Sequence, residues 1–98
     1  MQYNYKLSNP NKAETNTRKH GVTFVEAESV FSDECARIIP DPDSSYGEER
    51  FIIMGLSEYH NTLVVCHCYR GDDERIRIIS ARKAEKRERK QYQEFRYA

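Results

Sequence analysis

The sequence predicts an α+β domain in which two N-terminal helices and a C-terminal helix pack on one face of an antiparallel β-sheet, with the other face open. Residues 75–78 alternate arginine with isoleucine, which is typical of a strand with one buried face. Apolar runs at 50–56 and 63–70 are separated by turn residues, which indicates a meander of strands. Helical patterns precede and follow these strands, as the α+β class requires.

The N-terminal part of the chain predicts one short strand and two helices. Residues 3–7 alternate apolar and polar side chains, as a strand does. The Asn-Pro pair at 9–10 is typical of a helix start, and we expect that helix to end at 19–20, with Gly21 as its left-handed stop. Residues 23–26 have the pattern of a capping box for a second helix. The apolar face of this second helix contains Phe24, Ala27, Val30 and Phe31.

The sheet is expected to begin with a strand at 36–39, followed by an acidic loop that starts at Pro40. The strands at 50–56 and 63–70 follow, and the turn at 71–74 leads into the arginine-isoleucine strand. We expect Ser80 to cap the last helix, because a serine side chain accepts hydrogen bonds from a first helical turn. The thin apolar seam of that helix would contain Ala81, Ala84, Tyr92 and Phe95.

Length and composition predict a single domain, residues 1–98, that is completed by a partner. The content is 38% hydrophobic against 33% charged, which leaves a small core. The net charge is zero, but residues 26–49 contain eight acids and one base, whereas 82–96 contain seven bases and three acids. This segregation favours two faces with different partners, although two solvated faces explain it equally well.

The sequence favours a cytoplasmic protein without a metal or another cofactor. No stretch approaches the about 20 apolar residues of a membrane span, and the polar N-terminus does not resemble a signal peptide. Cys66 and Cys68 are two apart in a strand, where no disulfide joins them, so we expect reduced thiols. Together with Cys35 and the histidines, these cysteines could be taken for a set of zinc ligands, but the usual spacing of zinc ligands along the sequence is missing.

A strand face that carries arginines suits phosphate groups, since guanidinium groups bind phosphate at two points and stay protonated. The strand register decides which residues join that face. If Arg70 pairs with Arg75, then Arg70, Arg75 and Arg77 share a face with the cysteines of the neighbouring strand. A shift of one residue would instead bring His67 beside Arg77. The sequence leaves both registers open.

Five segments in order resemble the BrnT toxins. They are Arg18–Phe24 with Glu26-Ala27, Gly47–Phe51, Val65–His67 with Arg70-Gly71, Arg77–Ala84, and Glu88-Arg89. The turn at 71–74 is longer than in many members, and Thr17 stands where an apolar residue is common. The resemblance implies a RelE-like fold and the toxin role in a type II toxin–antitoxin module. It also implies ribonuclease activity that arrests translation and growth.

The same resemblance implies a set of partners. A BrnA-type antitoxin would neutralise the toxin and carry the DNA-binding domain that represses the operon. The chain would therefore bind RNA directly and operator DNA only through the antitoxin, within a complex that contains more than one toxin copy. We expect no contact with membranes.

A metal-independent ribonuclease of this fold needs a base, stabilisation of phosphate charge and a proton donor. His67 is the expected acid–base residue, because an imidazole titrates near neutrality. Arg70, Arg77 and Arg82 are expected to bind phosphate, and Arg82 is favoured because it would lie in the first turn of the last helix. Glu49 is an alternative base. The competing interpretations are a satisfied strand histidine and arginines that form ion pairs.

Lys19, Lys83 and Tyr69 complete the expected substrate contacts. The lysines would approach the RNA backbone, and Tyr69 would stack on a base, although aromatic residues on strands are more often part of the core. The alternative function is a non-catalytic module that binds nucleic acid or a partner with the same cationic face. A binder needs only the charge of His67, Arg70 and Arg82, whereas an enzyme needs their identity and geometry.

Overall fold

The computed structural model describes residues 4–5, 10–43, 49–70 and 75–97; of Asn4, Tyr5, Pro10 and Arg70 it describes the backbone alone. The elements follow in the order β1 (Asn4–Tyr5), α1 (Pro10–His20), α2 (Phe24–Ser29), a 3-10 turn (Val30–Ser32), β2 (Arg37–Pro40), β3 (Phe51–Leu56), β4 (Thr62–Arg70), β5 (Arg75–Lys83) and α3 (Lys86–Arg96). Parts of the predicted acidic loop and the predicted turn at 71–74 lie outside the described residues.

The sheet has the strand order β1-β5-β4-β3-β2. Strands β2 to β5 form the predicted antiparallel meander, whereas β1 pairs with β5 in parallel. The first register considered above is present at the β4–β5 turn, where Arg70 pairs with Arg75 and Cys68 pairs with Arg77. Further along, a bulge between Cys66 and His67 shifts the register.

Both N-terminal helices form as predicted. Helix α1 ends at His20, and Gly21 follows with φ +70° while its amide donates to the Thr17 carbonyl at 2.8 Å. The Thr23 hydroxyl caps α2 by accepting from the Glu26 amide at 3.0 Å. The Glu26 carboxylate instead accepts hydrogen bonds from Ser57 and Asn61, so it ties α2 to the β3–β4 turn.

The hydrophobic core lies between the N-terminal helices and one face of the sheet. It consists of Val22, Phe24, Ala27, Val30, Phe31, Ile53, Leu63, Val65, Ile76, Ile78 and Ala81. Gly55 lets the 3-10 turn approach β3, because a Cβ atom there would lie 2.8 Å from the Ala36 Cβ and 2.9 Å from a Val30 methyl. We call this sheet surface the core face and the other one the back face.

The last helix begins later than predicted. Ser80 lies inside β5, and Glu85 caps α3 through a capping box with Glu88. Helix α3 also packs on the back face instead of joining the other helices: Glu88 and Gln91 line one groove with Val64 and Ile52. The prediction of one fully open face is therefore wrong, because the β5 strand continues to Lys83 and delivers α3 to the opposite side.

Candidate active site

His67 lies on β4 and points to the core face, where it is 0% exposed. Its ring is surrounded by three aromatic rings. The centroid distances are 4.9 Å to Phe31, 5.4 Å to Tyr69 and 6.1 Å to Phe51. We call these three residues the aromatic cage. Phe51 and Tyr69 are half-buried, so the cage lies at the rim of the core and not at its centre.

The hydrogen bonding of His67 is incomplete among the described residues. Nδ1 lies 3.4 Å from the Val65 carbonyl oxygen, and a carbonyl only accepts, so this contact assigns the proton to Nδ1. Nε2 is then a buried acceptor, and no described residue donates to it. Burial lowers the pKa of His67, since a charged imidazolium loses its hydration there, although the Val65 carbonyl partly opposes that shift. The imidazole is therefore neutral at pH 7.

The strand arginines lie on the other side of the sheet. Arg77 pairs with Cys68 and Arg82 pairs with Val64, and both of these β4 residues alternate with the core-facing His67. Arg77 and Arg82 thus share the back face, and neither side chain is directed toward the His67 ring. The expectation of one surface that combines His67 with these two arginines is not met, because successive strand residues point to opposite faces.

Arg82 forms an ion pair with Glu88. Its Nη1 and Nη2 atoms donate to the two carboxylate oxygens at 2.8 and 3.0 Å. The Glu88 bond raises the pKa of Arg82, and the same bond lowers the pKa of Glu88. The placement of Arg82 in a first helical turn is wrong, and the α3 capping box already binds amides at that helix start. Arg82 fastens α3 to the sheet, which was the competing interpretation of this residue.

The other predicted site residues are dispersed. Tyr69 contacts the His67 ring directly. Glu49 is exposed and precedes Phe51 by two residues, and Phe51 is the residue that pairs with His67. Lys83 is exposed at the end of β5. The backbone of Arg70 ends β4, while its side chain lies outside the described part of the chain.

Lys19 lines a cleft of about 450 Å³ between α1 and the β5 bulge. Lys12, His20 and Ser80 also line this cleft. His20 is the last residue of α1, where a cation interacts favourably with the helix dipole. The spacing of Lys12, Lys19 and His20 could have identified this group from the sequence, since residues seven and eight positions apart lie on one side of a helix.

The three cysteines are free thiols, as predicted. Cys66 lies on the back face with its sulfur 3.6 Å from an Asp41 carboxylate oxygen. Burial and the charge of Asp41 raise the pKa of Cys66 to about 11, so this thiol is protonated at neutral pH and is a poor nucleophile.

Comparison with known proteins identifies the fold and the family. A solved structure, the ribonuclease toxin BrnT of Brucella abortus, superimposes with a TM-score of 0.62 and 24% sequence identity, covering 88% of this chain and 99% of that one. This likeness confirms the predicted fold class. No curated protein matches the sequence. No helix in the described ranges is long and apolar enough to cross a membrane.

The family model described as "Ribonuclease toxin, BrnT, of type II toxin-antitoxin system" matches residues 9–88. The match extends from the start of α1 to the first turn of α3, so it includes the core face, the back face and both groups of candidate residues. On this evidence the chain belongs to the BrnT family of ribonuclease toxins of type II toxin–antitoxin systems.

Proposed function

We propose that this toxin cleaves RNA without a metal, by attack of a ribose 2′-hydroxyl on the adjacent phosphate, and that the reaction takes place at the rim of the aromatic cage. The attack requires a base for the hydroxyl proton and a donor for the leaving oxygen. His67 Nε2 would accept the proton of the 2′-hydroxyl and then donate it to the 5′ oxygen that leaves as the P–O bond breaks, and Glu49 is the second candidate base. Arg70 would stabilise the phosphate charge.

The observation that supports this proposal is His67 Nε2, a buried atom that has no hydrogen-bond partner among the described residues. A buried acceptor without a donor costs free energy, so native proteins rarely keep one that has no use. A core histidine with a purely structural role would have both ring nitrogens paired. The lone pair of Nε2 instead remains available to a hydroxyl group that enters the cage.

Access to His67 requires movement of the cage. Phe51 and Tyr69 pack edge to face at 5.4 Å and are both half-buried. A nucleobase that stacks on Tyr69 would replace the contact between the Tyr69 and Phe51 rings with another aromatic contact. Proteins that bind single-stranded RNA stack bases on aromatic side chains in this way. Opening of the cage by a base would select unpaired RNA, because a paired base cannot be inserted.

The remaining cations would bind the RNA backbone away from the cut. Lys19 lies on α1, Lys83 ends β5, and Arg77 is on the back face. Side chains at such separated places suit phosphates several nucleotides apart, where charge matters more than geometry. Arg82 is already bound to Glu88, and we assign it to holding α3 on the back face.

The partners follow from the type II module. We propose that the antitoxin is of the BrnA type, that operator DNA is contacted only through it, and that the complex contains more than one toxin copy. RNA as the substrate places the toxin in the cytoplasm. Residues 1–98 would act as one domain, because the first strand, β1, pairs with the last strand, β5.

The test is cleavage of a single-stranded RNA by the purified chain with and without EDTA. We expect cleavage that EDTA does not change and products with 2′,3′-cyclic phosphate ends. His67→Phe keeps the cage filled and should remove activity by at least about 100-fold, while His60→Gln, at an exposed histidine, should leave it unchanged.

Two results would contradict the proposal. Full activity of a folded His67→Phe variant would exclude the imidazole from the reaction. Binding of RNA without cleavage by the wild-type chain would favour the non-catalytic binding module. Arg82→Lys serves as a second comparison, because loss of cleavage with unchanged RNA binding would give Arg82 a part in the chemistry after all.

A further inference from the structure

We infer that the outer edge of β2 and the back-face groove beside it form the surface on which the antitoxin docks, by adding an extended segment to the sheet. The segment would be acidic and amphipathic, with alternate apolar side chains. This inference rests on the proposed neutralisation by an antitoxin. It concerns a surface away from the aromatic cage.

Strand β2 is the outermost strand of the sheet on its side. It pairs with β3 along one edge, and no described strand pairs with the other edge. An open edge presents unpaired amide and carbonyl groups that a second chain can bind. Natural edge strands usually carry charges or bulges that prevent such pairing.

Strand β2 is short and has Arg37 at its start and Pro40 at its end, two residue types that limit edge pairing, so the part of the edge open to a second chain is Ile38–Ile39. All four residues are exposed, and Ile38 and Ile39 are 50% and 51% exposed. Because neighbouring strand residues point to opposite faces, the two isoleucines leave apolar surface on both sides of the edge. Exposed isoleucines on an open edge strand indicate an interface that another chain covers.

A groove of about 290 Å³ continues from β2 across the back face. Its floor is apolar and consists of Ile39, Ile52, Met54 and Val64. An added strand next to β2 would direct alternate side chains toward this floor, which is how strand addition combines backbone pairing with side-chain pockets.

Charge decides the chemistry of the partner. Arg37 lines the groove and stacks on Phe95 at 4.3 Å. Helix α3 forms the other wall with Glu88 and Gln91. Glu88 is already bound to Arg82, so the charge that the lining offers to a partner is the exposed guanidinium of Arg37. An apolar floor beside this guanidinium fits a segment that brings a carboxylate to Arg37.

The charge changes along the strand. Arg37 begins β2, whereas Asp41 and Asp43 follow its end. The acidic side chains of the docked segment would therefore lie beside Arg37, and not beside Asp41 and Asp43.

The experiment measures the affinity of the cognate antitoxin, purified from the co-expressed complex, for variants of the full chain. Ile39→Asp places a carboxylate at the edge and should weaken binding by about tenfold or more. Val25→Asp is the matched control, since Val25 is a 61% exposed branched residue on α2, and its affinity should stay within about twofold. Arg37→Glu, at the exposed guanidinium that lines the groove, should weaken binding in a manner that diminishes at high salt.

Hydrogen exchange of the wild-type complex supplies a second measurement that no folding defect can affect. The Asp41 amide donates to the Arg50 carbonyl on β3, so Ile39 and Arg37 also direct their amides to β3 and Ile38 directs its amide to the open edge. The Ile38 amide should exchange more slowly when the antitoxin is bound. Equal affinities of Ile39→Asp and Val25→Asp, or an unprotected Ile38 amide, would overturn the inference. Loss of self-association by Ile39→Asp with unchanged antitoxin affinity would assign the surface to a second toxin copy and overturn it as well.

RNA cleavage by the free variants separates this inference from the proposed function. Ile39→Asp should cleave RNA at the wild-type rate while it escapes neutralisation. If the wild-type chain binds the antitoxin as described but does not cleave RNA, the proposed catalytic function fails and the docking surface stands.

Discussion

Asn16 on α1 and Ala81 on β5 are joined by a reciprocal pair of hydrogen bonds. The Asn16 side-chain amide donates to the Ala81 carbonyl at 2.9 Å, and the Ala81 amide donates to the Asn16 carbonyl oxygen at 3.0 Å. The same side chain also donates to the Val22 carbonyl at 2.9 Å. The buried side-chain amide of Asn16 thus makes the two hydrogen bonds with Ala81 that a neighbouring strand would otherwise make.

Asn16→Ala should therefore lower the free energy of unfolding by about 2 kcal/mol or more, because it leaves buried backbone groups unpaired. Urea unfolding followed by circular dichroism measures the change. Asn11→Ala removes an exposed asparagine of the same helix and should alter stability by less than about 0.5 kcal/mol. Equal effects of the two substitutions would show that the hydrogen bonds of Asn16 do not contribute to the free energy of unfolding.

The attachment of α3 can be tested at Tyr92. Its hydroxyl donates to the Asp33 carboxylate, which also accepts from the Leu56 and Cys35 amides. Tyr92→Phe should destabilise the protein by about 1–2 kcal/mol, since a partly buried carboxylate loses a donor. Tyr97→Phe alters an exposed tyrosine of the same end and is the control. If Tyr92→Phe left the free energy of unfolding unchanged, water would be donating to the Asp33 carboxylate equally well.

Burial and the Asp33 carboxylate also raise the pKa of Tyr92 to about 12. A spectroscopic titration of phenolate absorbance should therefore contain a step near pH 12. Tyr92→Phe should remove this step.

Protonation of His67 is expected to lower the stability of the protein in mildly acidic solution. Its folded-state pKa lies below the ordinary 6.5, so the unfolded chain binds more protons between the two pKa values. Stability is therefore full above about pH 6.5 and falls as pH decreases toward the folded-state pKa. Asp33 and Glu88 act at lower pH, because their hydrogen bonds and ion pairs hold their pKa values below 3.8 and 4.5.

Urea midpoints measured from pH 7.5 to pH 5 test this expectation. His67→Phe should have a flatter profile over that range, while His60→Gln, at an exposed histidine, should keep the slope of the wild type. An identical slope for His67→Phe would mean that another group titrates there.

The Arg82–Glu88 pair should contribute only modestly to stability. The two side chains are 40% and 26% exposed, so water screens part of their attraction. A double-mutant cycle with Arg82→Gln and Glu88→Gln should give a coupling energy of about 0.5–1 kcal/mol. A coupling near zero would mean that α3 docks without the pair.

The sequence predicted α1 accurately because its limits have local causes. Proline at the first position and glycine after His20 act through backbone geometry alone, and no distant contact is needed to identify them. The start of α3 was missed for the opposite reason. Ser80 has the chemistry of a helix cap, but pairing with Cys66 keeps it in β5, and pairing overrides a local preference.

The candidate site was only partly predictable because one extra residue changes the alternation of β5. Arg77 and Arg82 are five positions apart, which in a regular strand would place them on opposite faces. The bulge opposite Cys66 and His67 returns them to the same face. No residue pattern in the sequence indicates that bulge. The strand register of the structure was therefore needed to place Arg77 and Arg82 on the opposite face of the sheet from His67.

The sheet order also has a consequence for synthesis of the toxin on the ribosome. Among the described strands, β1 pairs with β5 alone, and the core that covers α1 and α2 contains residues of β4 and β5. Such contacts between distant parts of a chain form late in folding. The N-terminal helices therefore emerge without the surface on which they must pack, so a new toxin molecule can complete its core only after β5 has been translated.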